Sequence, residues 1–319
     1  MKCVFLDRKT FVDEVSTSSI SQQVTALTSY DYTNESDVIA RCKDADVVIT
    51  NKVKLTREIL TLLPKLKLIC VAATGVNNID VTAAINLGIA VTNVSGYSAP
   101  SVSQYVFSQL LNYFSHPVSH QKNVEQGLWQ KSQSFCVHGC GSKELAGKKI
   151  AIIGFGCLGQ KVANIAQAFD MHVIIAERPN AETIRPNRMA FETALKQADI
   201  VSLHCPLTSE TQDLINKDTL ALMKPSALLI NTARGGIINE KDLFTALTQD
   251  QIAGAILDVL QDEPPSIDNT LLKNQPNNLK ITAHIAWASI EAQQRLLNLI
   301  AVNIADFKQG KETNRITSP

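Results

Sequence analysis

The stretch Lys149–Glu177, KIAIIGFGCLGQKVANIAQAFDMHVIIAE, decides how the chain is read. Lys149–Ile153 is a short apolar, β-branched run leading into Gly154-Phe155-Gly156-Cys157-Leu158-Gly159, and Val162, Ile165, Ala166 and Phe169 then recur at helical spacing. A second β-branched run, His172–Ala176, ends on Glu177, about eighteen residues past the last glycine. Strand, glycine turn, helix and strand in that order make a βαβ unit carrying the dinucleotide-binding fingerprint. Gly154 permits the tight turn, Gly156 lets a pyrophosphate approach the backbone, and Gly159 lets helix and strand pack closely. The first-turn amides, at Cys157, Leu158 and Gly159, then face the phosphates. Glu177 would accept hydrogen bonds from the adenosine ribose and repel a 2′-phosphate. The expected cofactor is therefore NAD(H), with NADP(H) the lesser alternative because Arg178 could host that phosphate.

Working outward, 319 residues allow about two domains with full cores. Lys plus Arg number 30 and Asp plus Glu 30, so no basic field draws nucleic acid or anionic lipid, and neither partner is expected. No run approaches the roughly eighteen apolar residues of a membrane span, and the apolar part of MKCVFLDRKTF is too short for a signal peptide; a cytoplasmic location is expected. Seven scattered cysteines fit free thiols in a reducing compartment. Cys136-Val137-His138-Gly139-Cys140 offers three metal ligands but no second cluster supplies a fourth, so no metal is expected.

Upstream, strands at Met1–Asp7, Asp46–Thr50, Leu66–Ala72 and near Ile89–Asn93 alternate with helices at about Ile20–Ser29, Ser36–Lys43 and Thr56–Leu63, which predicts a buried parallel sheet. Thr74-Gly75-Val76 follow the third of these strands, where ligands of open α/β sheets bind, and are expected to receive a small anionic substrate. Ser101 is expected to cap a helix, Val102–Phe114, apolar on most of its circumference. The polar stretch from Ser115 to Glu144, with Trp129, reads as an irregular arm embracing a second subunit, giving a homodimer. Downstream, helices at Phe191–Gln197, Lys217–Met223 and Glu240–Gln249 alternate with strands at Ile200–His204, Ala227–Asn231, Ile252–Asp258 and Lys280–Ala283. The last helix, Ile290–Gln309, is expected to return to the first domain. That domain then comprises residues 1–100 and 290–319, and residues 101–289 form the second, with the dimerisation helix and arm.

Arg234, Glu263 and His284 each follow a strand of the second sheet, and parallel strands end on one edge, the edge on which the glycine loop opens. Separately, Arg234 could cap a helix, Glu263 could end a loop before Pro264-Pro265, and His284, among apolar neighbours, could belong to the core. Three such accidents would not be expected to choose the same edge. An arginine fork can pair a carboxylate, an imidazole can give a proton to a ketone oxygen as hydride arrives, and a glutamate beside it favours imidazolium. Together they describe hydride transfer between NADH and a 2-oxo acid. His204, also at a strand end, is expected to shape the nucleotide pocket.

The chain resembles the D-isomer-specific 2-hydroxyacid dehydrogenases over essentially its full length. The resemblance rests on Ala73-Thr74-Gly75-Val76-Asn77-Asn78-Ile79-Asp80, the Gly154–Gly159 loop, His204-Cys205-Pro206-Leu207-Thr208 with Thr211, Met223-Lys224-Pro225, Asn231-Thr232-Ala233-Arg234-Gly235-Gly236, Asp258-Val259-Leu260 with Glu263-Pro264, and His284-Ile285-Ala286-Trp287-Ala288-Ser289. It implies an α/β fold of two doubly wound parallel-sheet domains, a flavodoxin-like substrate domain and a Rossmann NAD-binding domain. It implies that Arg234 binds the substrate carboxylate and keto oxygen, that Glu263 supports His284, and that His284 is the acid/base. Substrate contacts are expected from Thr74, Gly75, Val76, Arg234, His284 and Trp287. Cofactor contacts are expected from the glycine loop, Val102, Glu177, Arg178, His204, Cys205, Pro206, Thr211, Thr232, Ala233 and Asp258. Tyr97–Ser101 and His284–Ser289 look most like glycerate dehydrogenases, also called hydroxypyruvate reductases. Trp287 stands where phosphoglycerate dehydrogenases usually carry glycine, and Glu263 disfavours formate dehydrogenases. The expected reaction is NADH-dependent reduction of hydroxypyruvate or glyoxylate to D-glycerate or glycolate. The alternatives are a broad-specificity D-lactate-type dehydrogenase and an NAD(H)-sensing corepressor of the same fold. Two positions depart from the family pattern: Ala283 replaces a proline before the histidine, and Asp170 replaces a glycine, at some cost in a left-handed turn.

Overall fold

The computed structural model describes residues 1–317. The chain divides into two compact units, Ala99–Ala286 and one made of Met1–Ser98 with the segment from Trp287 onward. The divisions fall two residues before 101 and three before 290, which places Trp287 in the first unit.

The first unit holds five parallel strands: β1 (Lys2–Phe5), β2 (Ala26–Ser29), β3 (Val47–Thr50), β4 (Leu68–Val71) and β5 (Ala90–Thr92). Their order in the sheet is β2-β1-β3-β4-β5, a doubly wound arrangement. β3, β4 and β5 are buried throughout, because helices cover both faces. One face packs Phe5, Ile49, Leu68 and Cys70 against the helix Ile290–Lys308 through Leu296, Leu297, Ile300 and Ile304. Leu296 and Leu297 are followed by Ile300 and Ile304 at spacings of three to four, so one stripe of the helix meets the sheet.

The helix expected over Ile20–Ser29 is not formed. Only Ser18–Ser21 is helical, and Ala26–Ser29 is an edge strand whose Ala26 pairs with Lys2. β-Branched Thr28 within the strand, and Val24 and Thr25 just before it, suit extended chain, and hydrogen bonding to β1 outweighs a weak helical pattern. Its largely exposed side chains leave no apolar alternation to read.

Asp7, just past β1, is 3% exposed, and its carboxylate accepts from the backbone N–H groups of Asn51, Lys52 and Val53, at 2.7 Å for Lys52. The turn after β3 is thus built around a buried acid.

The second unit holds β6 (Lys149–Ile153), β7 (His172–Ile175), β8 (Ile200–Leu203), β9 (Leu228–Asn231), β10 (Gly254–Leu257) and β11 (Leu279–Ile281), all parallel, in the order β11-β10-β9-β8-β6-β7. Beyond β7 a further strand is reduced to one parallel bridge between Ala176 and Met189. Asp170 takes the left-handed conformation, φ 55°, at the turn into β7.

Two expectations need correction here. Ser101 does not cap the long helix, which runs Ala99–Ser115 with Pro100 in its first turn; its hydroxyl donates instead to the Ala286 carbonyl at 2.7 Å. The stretch from Ser115 to Glu144 is not irregular throughout, because Pro117–Glu125 is helical, with Pro117 opening it. The long helix buries Val102, Val106, Phe107, Leu110 and Phe114 but leaves Leu111 exposed, so its apolar face is narrower than the sequence suggests.

Replacing Asp7 with alanine strands three backbone N–H groups and is expected to lower unfolding stability by about 2–4 kcal/mol in urea titration. A loss below about 1 kcal/mol would show that water satisfies those amides without the carboxylate.

Candidate active site

The glycine loop joins β6 to the helix Cys157–Ala168. Gly154 has φ +93°, and a methyl group on it would sit 2.5 Å from the Cys205 backbone nitrogen, so no other residue fits. A methyl on Gly159 would strike the Gly154 carbonyl, whereas Gly156 faces open space. Turn, packing and approach are thus divided among the three glycines as the fingerprint requires. A pocket of about 490 Å³ opens here, lined by Gly154, Gly156, Glu177, Arg178, Cys205, Pro206 and Thr211 among others.

Three buried polar atoms have no partner among the described residues: Ser19 Oγ in the first unit, and His204 Nδ1 and Thr232 Oγ1 at the ends of β8 and β9 in the second. The last two concern the site. Such atoms are costly unless a ligand pairs them, and both stand on the edge where a dinucleotide binds. The residues present fit NAD. The other ring nitrogen of His204, Nε2, shares a 2.8 Å hydrogen bond with the Ser202 hydroxyl, and burial pushes the imidazole pKa down to about 4. Thr211 ties its own loop, donating to the Pro206 carbonyl at 2.7 Å. Val102 is 3% exposed inside the long helix.

Glu177, the expected ribose acceptor, is engaged by an arginine. It is 3% exposed, and the Arg185 guanidinium grips both of its oxygens, Nε to Oε2 at 2.7 Å and a terminal nitrogen to Oε1. The Arg178 N–H adds a bond at 2.8 Å, and Arg188 Nε lies 3.9 Å away. Arg185 holds the Glu177 carboxyl far below the usual carboxylate range.

At the other end of the sheet, His284 Nδ1 and Glu263 Oε2 are 2.6 Å apart, and Glu263 Oε1 accepts from the Leu260 N–H at 3.1 Å. The Glu263-Pro264 peptide is cis. His284 itself has φ +52°, a conformation that costs energy in a residue other than glycine. Asp258 enforces it. Its carbonyl accepts from the His284 N–H at 2.7 Å, and its carboxylate, 1% exposed, accepts from Thr282 Oγ1 (2.6 Å), Ile285 N (2.9 Å) and Ala286 N (2.8 Å). Expected as a cofactor contact, Asp258 has its carboxylate committed to this loop. Arg234 follows β9, its carbonyl fixed by the Asn231 side chain at 2.8 Å, while the same side chain accepts from the Ala233 N–H. Any side chain on Gly235 would collide with the Leu260 carbonyl, so the Arg234 and Glu263 loops lie against each other.

In the first unit, the Thr74 hydroxyl donates to the Val94 carbonyl at 2.9 Å and the Asn93 side chain to the Thr74 carbonyl at 2.6 Å, which brace the turn carrying Gly75 and Val76. Trp287 packs edge-on against Phe11 and Tyr97, with ring centroids 5.7 and 6.2 Å away. Cys136 Sγ and His138 Nε2 lie 3.4 Å apart, and among the described residues no group of three His, Cys, Asp or Glu is placed to hold a metal ion. Sequence reading missed Arg185, Arg188 and Asp7. The first two lie in an irregular segment without periodicity, and the third is contiguous with an ordinary strand; basic residues shortly after the ribose-reading acid were the available signal.

This geometry defines a dinucleotide-dependent oxidoreductase with a histidine–carboxylate pair at the sheet edge. The family model described as D-isomer specific 2-hydroxyacid dehydrogenase, NAD binding domain, matches residues 107–286, and the chain belongs to that family. A glycerate dehydrogenase from Methylorubrum extorquens is 36% identical over 98% of both chains. A hydroxypyruvate reductase from Blautia hydrogenotrophica is 37% identical over 89% of this chain and 90% of its own. Among solved structures, an acyclic imino acid reductase (Bsp5) in complex with NADPH and D-Arg superposes with a TM-score of 0.84 at 29% identity, covering 99% of this chain and 100% of that one.

Burial of the neutral His204 ring couples folding to pH. Between about 4 and the ordinary value of 6.5 the unfolded chain binds the proton that the folded chain refuses, so this contribution to stability is complete above 6.5 and is lost as pH falls toward 4. Between pH 7 and pH 5 the wild-type protein should therefore lose more stability in urea than His204→Asn; equal losses would contradict the buried neutral ring.

Proposed function

We propose that this 2-hydroxyacid dehydrogenase reduces hydroxypyruvate or glyoxylate with NADH, giving D-glycerate or glycolate. The observation that carries the chemistry is the 2.6 Å pair of His284 Nδ1 and Glu263, at the end of β11. With Nδ1 held by the carboxylate, Nε2 is the ring atom that gives its proton to the ketone oxygen and takes it back in reverse. The bound nicotinamide supplies the hydride. Arg234 pairs with the substrate carboxylate and polarises the adjacent carbonyl. In the first unit, the amides of Gly75 and Val76, braced through Thr74, suit a small carboxylate. Trp287, held by Phe11 and Tyr97, sets the size of the substrate side chain. The activities for which the Methylorubrum and Blautia relatives are named support this choice of substrate.

A homodimer formed through the long helix and the Ser115–Glu144 arm is part of the same reading. Trp129 and Phe135 on that arm are exposed, as is Leu111 on the helix, and a partner subunit would cover them. Seven free thiols support a reducing compartment, the cytoplasm.

A panel of hydroxypyruvate, glyoxylate, pyruvate and 3-phosphohydroxypyruvate, followed by NADH oxidation, should give the highest kcat/KM for the first two. A clear preference for pyruvate would favour a D-lactate-type enzyme. His284→Ala should lower kcat about 10²–10⁴-fold and leave the NADH dissociation constant nearly unchanged. Turnover close to wild type would remove His284 from the proton-transfer role. Glu263→Gln, which keeps the shape and removes the charge, should lower kcat without weakening NADH binding, and an unaltered kcat would show that the pairing is not used in turnover.

A further inference from the structure

The ribose end of the nucleotide pocket is electrically unlike that of a site built to reject a phosphate. An acid at the end of the second strand discriminates against NADP(H) only while its charge faces the ligand. Here Glu177 is buried, both oxygens are gripped by Arg185, and Arg188 stands behind. Arg178, Arg185 and Arg188 line this end against only Glu177 and Glu210. The Arg185 side chain is 49% exposed, so it can face a ligand while paired, whereas that of Glu177, at 2%, is enclosed. The Arg178 guanidinium makes no hydrogen bond or ion pair among the described residues.

We propose that Arg185 determines the cofactor preference of this chain: by occupying Glu177 it cancels the charge that would repel a 2′-phosphate, and its remaining terminal nitrogen, with the Arg178 guanidinium, pairs with one. A bare ribose gains its hydrogen bonds to Glu177 only by displacing Arg185 from a two-point pair, so NADH binding bears a cost here that NADPH binding does not. The pocket consequently accepts both dinucleotides. Arg185 lies in the irregular stretch between Glu177 and the single bridge at Met189, where its position is set by the pair with Glu177 and not by a strand register.

Calorimetric titration of the full chain with NADH and with NADPH, without substrate, reads this directly and does not depend on the substrate assigned above. Wild-type dissociation constants are expected to agree within about tenfold. Arg185→Ala should weaken NADPH at least about tenfold relative to NADH, because Glu177 regains its unpaired charge. Glu177→Gln should shift the ratio the opposite way, toward NADPH. A wild-type preference for NADH beyond about tenfold, or a ratio unmoved by Arg185→Ala, overturns the proposal. Binding of both nucleotides with no turnover on any 2-oxo acid would leave it standing and remove the substrate reading instead.

Discussion

Asp258 is a negative charge almost wholly withdrawn from water, and a buried carboxylate survives only when donors surround it. Its donors are the Thr282 hydroxyl and the N–H groups of Ile285 and Ala286, while its own carbonyl takes the N–H of His284. Four consecutive bonds from one residue wrap the chain after β11 into a shape that leaves His284 in a left-handed backbone conformation, facing Glu263. Tyr105 extends the set through its 2.5 Å bond to Thr282, tying the long helix to the loop. The strain at His284 persists because the surrounding hydrogen bonds over-determine it. Rigidity is also what a proton donor needs if its ring nitrogen is to meet one oxygen repeatedly.

The first unit solves a similar problem with the same chemistry. Asp7, one strand-length from the N-terminus, gathers the amides of Asn51, Lys52 and Val53 as Asp258 gathers those of Ile285 and Ala286. In each case a turn at the carboxyl end of a parallel strand would otherwise leave several buried N–H groups unsatisfied, and one carboxylate, accepting at two oxygens, satisfies them together. The turns owe their definition to a residue distant in sequence.

That distance explains what could and could not be read from the sequence. The glycine loop and the six strands of the second unit were legible because their signals are local: β-branched runs, fixed glycine spacing and Glu177 where the second strand ends. The placement of Glu263 beside His284 followed from topology, since strand ends in a parallel sheet share an edge. β2 was illegible because an edge strand with largely exposed side chains has no apolar alternation, and its identity comes from Lys2 across the sheet. The bracing of the His284 loop by the Asp258 carboxylate, a residue that the family resemblance places at the cofactor, was not legible, because residue type and position say nothing of where a carboxylate points. The pairing of Glu177 was illegible for the same reason: its partner, Arg185, sits in a segment whose course depends on the bridge between Ala176 and Met189.

The single bridge at Met189 has an evolutionary meaning. A full strand there would fix the alternation of side chains between two faces, and each substitution would have to respect pleat and register. With pairing reduced to one residue, the stretch from Arg178 to Arg188 can gain, lose or move a charge without disturbing the sheet. The part of the molecule proposed to distinguish one dinucleotide from another is thereby mechanically insulated from the part that folds, and selection could retune the first at little risk to the second.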